Sequence, residues 1–228
     1  MSIAEQKWQK FLKRARLFRF IPFVDFVLAS GSLATGDIKE DSDFDVIVGV
    51  RRGRIFTARF GCVLLFGLFG WRAVHKSGKP VKDKFCFNHF VTPASYRLSP
   101  PYNEYWKNLY QKLVPVYGEP EKIQKFYDAN SDWAVPVRNS PPKGSSGPRL
   151  RAGAVFNGVG KKLIVEIKEC FLSGYLGDLA EKILKEIQIK RIEKSLKLTE
   201  TYKPRIVFND NELEFHPDTK RIEEYCNV

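Results

Sequence analysis

One stretch near the N-terminus constrains the fold more than any other: GSLATGDIKEDSDFDVIV, residues 31–48. It alternates Asp43 and Asp45 with Phe44 and Val46, at the entrance to an apolar segment that has the pattern of a strand. Because residues two apart on a strand project from the same face, the two carboxylates should stand side by side while the apolar residues enter the core. Carboxylates that close repel each other unless a cation lies between them. The stretch therefore predicts either a metal site or an edge strand with a solvated outer face.

The residues just before this pair favour the metal site. Gly31 and Ser32 follow directly on FVDFVLAS, a predicted strand over residues 23–30. Glycine lets the backbone approach a ligand closely, and serine offers a hydroxyl and an N–H group to a phosphate. Carboxylate oxygens suit Mg²⁺ or Mn²⁺, which complete their coordination with water and phosphate oxygens. We expect one compact site in which Asp43 and Asp45 hold the metal beside phosphate-binding donors.

These residues resemble the signature of the DNA polymerase beta-like nucleotidyltransferase superfamily, in the form carried by its smaller members. The matching residues are Gly31-Ser32, Ala34, Gly36 and the run Ser42-Asp43-Phe44-Asp45-Val46, with the same eleven-residue step from Ser32 to Asp43. The motif covers 18 of the 228 residues. The resemblance implies an enzyme that transfers NMP from an NTP to an acceptor hydroxyl. By that resemblance, Gly31 and Ser32 bind the triphosphate, and Asp43 and Asp45 hold divalent metal ions.

Two departures from the signature bear on activity. Thr35 stands where the small members often carry a basic residue, and the family normally has a third carboxylate on a following strand. The candidate strand is KFCFNHFVT, residues 84–92, and it contains no acid. Alternation along this strand predicts Asn88 as the residue beside the two aspartates, but an amide cannot act as a base near neutral pH. The alternative hypothesis is a catalytically degenerate member of the fold that binds a nucleotide or RNA without turnover.

Three residues close to Asn88 have candidate roles of their own. Asp83, at the start of the strand, is the fallback carboxylate. By alternation its side chain would point to the opposite face from Asn88 unless a bulge intervenes. His89 could act as a general base, but a lone histidine among phenylalanines is more often a hydrogen-bonded core residue. Cys86 is expected to be a small buried residue rather than a nucleophile.

The order of predicted elements indicates an α+β protein, with a small mixed β-sheet flanked by helices. An amphipathic basic helix opens the chain over residues 4–20. VYGEPE, residues 116–121, is predicted as a turn. Further strands are predicted over 42–50 and 84–92, and further helices over 51–71, 103–113 and 119–129.

A segment rich in Pro, Gly and Ser, RNSPPKGSSGPRLRAG, divides the chain. It predicts a flexible linker over residues 138–153 that follows a nucleotidyltransferase-like domain over 1–137. The remaining region, 154–228, should be mainly helical, with a long helix over 162–198 that breaks near 173–177. The sequence RIVFNDNELEFHP predicts a β-hairpin that ends this region.

The net charge indicates the kind of partner, and the cysteine pattern indicates the redox compartment. The formal charge of +12 favours an anionic partner such as an NTP or RNA, although no motif identifies the acceptor. The four cysteines show no C-x-x-C spacing, which argues against a zinc or disulfide framework and for a reducing interior.

No apolar signal core precedes the first helix, and the apolar run over residues 60–71 is too short to span a bilayer. We therefore expect a cytoplasmic protein without a transmembrane segment. The 60–71 run should form a buried helix, with a docking surface for a protein partner or a membrane surface as the alternative.

Overall fold

A six-stranded mixed sheet forms the centre of the protein, which confirms the predicted α+β class. The computed structural model describes residues 1–74, 80–99, 104–136, 169–170, 172–196 and 205–216. The strands are β1 (Val24–Ala29), β2 (Phe44–Val50), β3 (Phe85–Val91), β4 (Val114–Gly118), β5 (Arg205–Phe208) and β6 (Glu212–His216). They lie in the order β4-β1-β2-β3-β6-β5, in which β2 and β3 are parallel and all other neighbours are antiparallel.

The α-helices are α1 (Ile3–Ala15), α2 (Gly31–Thr35), α3 (Ile55–Leu68), α4 (Glu104–Gln111), α5 (Pro120–Asn130) and α6 (Tyr175–Leu196), within the described residues. The predicted N-terminal helix is α-helical to Ala15 and continues as a 3₁₀ helix over Arg16–Phe20. It begins at a capping box, in which Ser2 and Glu5 satisfy each other's backbone N–H groups. The helix is thereby fixed at its first turn, and its apolar face packs on the sheet.

Helices cover both faces of the sheet, because β2 alternates between two apolar clusters. Phe44, Val46 and Val48 pack with residues of α1 and α3 on one face, as the alternation predicts. Ile47 points to the other face, where it packs with residues of α4 and α5. Full burial of a phenylalanine such as Phe44 stabilises the fold by about 2 kcal/mol. Asp45 lies on the same face as Ile47, so α4 is the helix that approaches it.

The apolar run over 60–71 is buried on one side only. It falls largely within α3, which buries Cys62 and Phe66 against the sheet. Phe60, Leu64 and Leu68 recur every four residues and are exposed, with Leu68 75% accessible. The predicted buried helix is therefore confirmed for one face, and the other face presents an apolar row to solvent.

One predicted turn is a strand. The segment predicted as the turn VYGEPE contributes to β4, which pairs antiparallel with β1 at one edge of the sheet. The strand has only five residues and contains Pro115, which is tolerated at a sheet edge but weakens the strand signal in the sequence. The prediction of a turn was wrong because pairing with β1, rather than local propensity, makes this segment extended.

The C-terminal hairpin is present as predicted and joins the central sheet. β5 and β6 are antiparallel, and β6 pairs with β3 through three residue pairs. The predicted helical break is confirmed by a bend at Ser173 and Gly174 immediately before α6. The predicted linker over 138–153 lies outside the described residues. Within the parts of the chain that the structure describes, no helix combines the length and the apolar composition that a bilayer crossing needs.

Candidate functional site

The Gly-Ser turn and the D-x-D strand are in direct contact. The Ser30 N–H donates a hydrogen bond of 3.0 Å to the backbone carbonyl of Asp45. Gly31 has a φ of +57°, in the left-handed region that favours glycine. A Cβ atom at position 31 would overlap the Asp45 carboxylate and lie 2.9 Å from its Cβ. Glycine is therefore required for both conformation and space, and the two halves of the motif form one site.

Asp43 and Asp45 lie side by side, as the alternation predicts. Both are half-buried, and their carboxylate oxygens come within 4.8 Å of each other and of the Cys86 Sγ. The two aspartates offer hard oxygen ligands, which fit Mg²⁺ or Mn²⁺. The thiol does not fit Mg²⁺, because a soft sulfur ligand favours other metals. The group therefore supplies two good ligands for a hard cation and leaves the remaining positions to water or phosphate.

Cys86 acts as a hydrogen-bond donor to this site. Burial raises the pKa of the Cys86 thiol well above its ordinary value, and the charges of Asp45 and Asp43 and the hydrogen bond to Asp45 raise it further. The thiol is therefore protonated near neutral pH and can donate to Asp45. This agrees with the expectation of a small buried residue that is not a nucleophile.

A β-bulge changes the predicted position of Asn88. Asp45 pairs with Cys86 and Ile47 pairs with His89, so β3 has one more residue than β2 across this interval. Cys86, rather than Asn88, therefore stands in register with Asp45. Asn88 nevertheless lines the same cavity as Asp45. The bulge also turns His89 to the face that carries Asp45 and Ile47.

The cavity beside Asp45 is small and is closed on one side by aromatic residues. It has a volume of about 60 Å³, and Tyr105 and Trp106 of α4 line it opposite Gly31 and Asp45. That volume accommodates ions and a few water molecules rather than a nucleoside. No sequence pattern pointed to the two aromatic residues, because only the packing of α4 brings them here.

The fallback carboxylate, Asp83, faces α1 instead of the two aspartates. It forms ion pairs with Lys7, at 2.9 Å, and with Lys10. Its backbone carbonyl accepts a hydrogen bond from the Arg14 guanidinium. Burial alone would raise the pKa of Asp83, but the hydrogen bonds and charges of Lys10 and Lys7 outweigh it and lower the pKa. Asp83 therefore fixes α1 to the start of β3. Among the described residues, it does not belong to the group that Asp43, Asp45 and Cys86 form.

His89 is a buried, hydrogen-bonded residue, as predicted. Its Nε2 lies 3.2 Å from Glu212 Oε1 on β6. Glu212 and Glu214 of the terminal hairpin also lie close to this imidazole, and neither was a candidate from the sequence. No local signal could have placed them here, since the pairing of β6 with β3 joins segments more than a hundred residues apart.

Comparisons of the chain with models of known protein families, with curated proteins and with solved structures find no match.

Proposed function

We propose that the chain is a metal-dependent nucleotidyltransferase that transfers NMP from an NTP to an acceptor hydroxyl. The observation that supports this most strongly is the contact between Gly31 and Asp45. A turn suited to phosphate and a pair of carboxylates suited to divalent metal converge at one point on the sheet. A triphosphate with its Mg²⁺ or Mn²⁺ ions presents the matching set of groups.

In the proposed reaction, the acceptor oxygen attacks the α-phosphorus of the NTP. The bond between that phosphorus and the oxygen bridging to the β-phosphate breaks, and pyrophosphate leaves. Asp43 and Asp45 hold the metal ions, while the hydroxyl and backbone N–H of Ser32 and the backbone of Gly31 receive the phosphates. When bound, Mg²⁺ supplies charge stabilisation for the attacking and leaving oxygens. The hydroxyl proton leaves to solvent or to a base on the acceptor.

A second candidate function is a nucleotide or RNA binder without turnover. It is favoured by a specific observation: β3 places no third carboxylate beside Asp45. Cys86 stands in register with Asp45, and the β3 residues that line the cavity are Asn88 and His89, whose imidazole is hydrogen-bonded to Glu212. Neither a protonated thiol nor an amide can accept the proton of an attacking hydroxyl. Under this alternative the metal and triphosphate still bind.

Surface features support two kinds of partner. Lys7, Lys10 and Lys82 line a cavity of about 160 Å³ between α1 and the start of β3, and Lys7 donates to the Ser42 carbonyl beside Asp43. These lysines are paired with Asp83 and Glu40. RNA as an acceptor is supported instead by the formal charge of +12, which attracts phosphates. The exposed apolar row of α3 supports a protein partner.

Calorimetric titration of the four NTPs with Mg²⁺ tests the proposed site. We expect wild type to bind at least one NTP only when Mg²⁺ is present, and the D43N/D45N double variant not to bind it. Asp41→Asn is the matched control, because Asp41 is an exposed aspartate in the same segment and is not part of the metal-capable group. Equal binding by wild type and the double variant would refute the site.

A pyrophosphate-release assay with the bound NTP and a panel of acceptors, RNA among them, separates the two candidate functions. Release that falls by orders of magnitude in either single aspartate variant supports the transferase. Metal-dependent binding with no release on any acceptor favours the non-catalytic binder.

A further inference from the structure

Three side chains of types that ligate metals meet on two neighbouring strands, in a group that does not include the D-x-D pair. They are His89 on β3 and Glu212 and Glu214 on β6, and they are 2%, 5% and 0% exposed. Each offers one ligand atom, and the three atoms lie within 4.8 Å of one another. The His89 Nε2 is 3.2 Å from Glu212 Oε1.

The strand register builds this cluster. The bulge in β3 turns His89 to the face of Ile47, and the antiparallel pairing sets Glu214 directly opposite His89. Glu212 and Glu214 are two residues apart on β6, so they project from the same face as the imidazole. The fold therefore holds one nitrogen and two oxygen donors on neighbouring strands, without a contribution from any loop.

Two carboxylates this deeply buried are costly unless positive charge compensates them. Moving an ionised carboxylate out of water costs several kcal/mol, and a second carboxylate within contact distance adds repulsion. A divalent cation balances both carboxylates and uses the imidazole as a third ligand.

We propose that His89, Glu212 and Glu214 form a binding site for a divalent transition metal, Zn²⁺ or Mn²⁺. The imidazole favours these ions over Mg²⁺, and both ions also accept carboxylate oxygens as ligands. The site is independent of the proposed transferase function, since it uses neither Asp43 nor Asp45.

The metal would fasten the terminal hairpin to the part of the sheet that carries Asp45. β6 pairs with β3 through three residue pairs, which is a short attachment for a strand that comes from the far end of the chain. A metal bound by His89 and the two glutamates would link β3 to β6 in addition to their backbone pairing. Because His89 also lines the cavity beside Asp45, the bound metal would stiffen one wall of the candidate site.

The test measures metal content and metal-dependent stability of the full chain. Protein freed of metal with chelator is dialysed against Zn²⁺ or Mn²⁺ with excess Mg²⁺, and bound metal is counted by plasma mass spectrometry. We expect one tightly held equivalent in wild type and in D43N/D45N, and less than about a tenth of an equivalent in Glu214→Gln and His89→Gln. At a free metal concentration 100-fold above its Kd, the ratio of folded to unfolded wild-type protein should rise by about 100-fold.

Asp210→Asn is the matched control, because Asp210 is an exposed carboxylate on the same hairpin that pairs with Lys185 at 2.6 Å. It should retain the full equivalent. X-ray absorption of the wild-type complex should show one imidazole nitrogen and oxygen ligands with no sulfur. This measurement needs no variant to fold.

Three results would overturn the proposal: wild type without a stoichiometric metal, a coordination sphere that contains sulfur, or loss of the metal in D43N/D45N. The first would mean that protein groups, rather than a metal, compensate the glutamates. The third would assign the metal to the D-x-D pair.

Discussion

The Asp45 carboxylate occupies the space where residue 31 would carry a Cβ atom. Two short motifs thus depend on each other: the D-x-D strand can lie against the Gly-Ser turn only because residue 31 is glycine. The same glycine holds a φ of +57°, which other residues adopt at a cost of about 1 kcal/mol or more.

Gly31→Ala should therefore disrupt both stability and ligand binding. The clash displaces Asp45, so we expect a loss of about 2–3 kcal/mol in the free energy of unfolding and at least a tenfold loss in Mg²⁺-dependent NTP affinity. Denaturant unfolding and calorimetry measure the two effects. Gly53→Ala is the control, because Gly53 has a φ of +74° but its alanine methyl would meet no atom within 4 Å. Gly53→Ala should lose only the stability that backbone strain costs, and it should keep NTP affinity. Equal effects in both variants would contradict the steric coupling.

Local patterns predicted most of this arrangement, and pairing between distant segments accounts for what they did not predict. The alternation of Phe44 and Asp45 identifies both the strand and its polar face, and the Gly-Ser pair identifies the turn. The bulge in β3, which turns His89 to the face that carries Asp45, has no local signature, because it arises from how β3 fits against β2. The association of Glu214 with His89 depends likewise on a strand pairing across more than a hundred residues.

Glu181 joins α6 to the N-terminus of α3, and its removal should loosen that contact. Its carboxylate accepts hydrogen bonds from the backbone N–H groups of Phe56, at 2.9 Å, and Thr57, at 2.8 Å. Glu181→Ala leaves these donors without an acceptor at a helix start, so we expect a loss of about 1–2 kcal/mol in unfolding free energy. Glu186→Ala, at an exposed position of the same helix, should change it by less than about 0.5 kcal/mol. Chemical denaturation checks both, and similar losses would argue against the capping role.

The Asp83 ion pairs should make stability fall in acid. The lysines hold the folded-state pKa of Asp83 below its ordinary value of 3.8, so its stabilisation is fully present above that value. The stabilisation is lost as the pH falls through the lower folded-state pKa. Asp83→Asn should cost about 3 kcal/mol near pH 7, because it leaves Lys7 buried without its counter-charge.

The difference between wild type and Asp83→Asn should therefore shrink as unfolding is measured at lower pH. Glu40→Gln tests the specificity of this effect, since Glu40 pairs with Lys82 at the exposed rim of the same cavity. We expect Glu40→Gln to leave the free energy of unfolding nearly unchanged at any pH, because solvent screens this exposed pair. A cost for Asp83→Asn that does not vary with pH would show that the ion pairs are not its source.

Thiol reactivity should separate the described cysteines by burial. Cys170 is exposed, whereas Cys62 and Cys86 are buried. Burial raises the pKa of both buried thiols, so they lack the reactive thiolate as well as access to reagent. Brief iodoacetamide treatment followed by peptide mass spectrometry should find Cys170 modified and the other two intact until denaturant is added. Rapid alkylation of Cys86 in the folded protein would contradict its hydrogen bond to Asp45.

A carboxylate at position 86 should strengthen the metal site more than one at position 88. Cys86 stands in register with Asp45, so Cys86→Asp adds a third acid within the existing group, whereas Asn88→Asp adds one across the bulge. We expect Cys86→Asp to lower the thermal midpoint in chelator, because three carboxylates repel one another, and to recover it in Mg²⁺ with at least tenfold higher affinity than wild type. Cys86→Asn is the control of equal size without the charge and should not respond to Mg²⁺ in this way. Calorimetry with Mg²⁺ and Mn²⁺ decides the comparison: a larger gain for Asn88→Asp would place the third ligand on Asn88 and restore the position that alternation alone predicted.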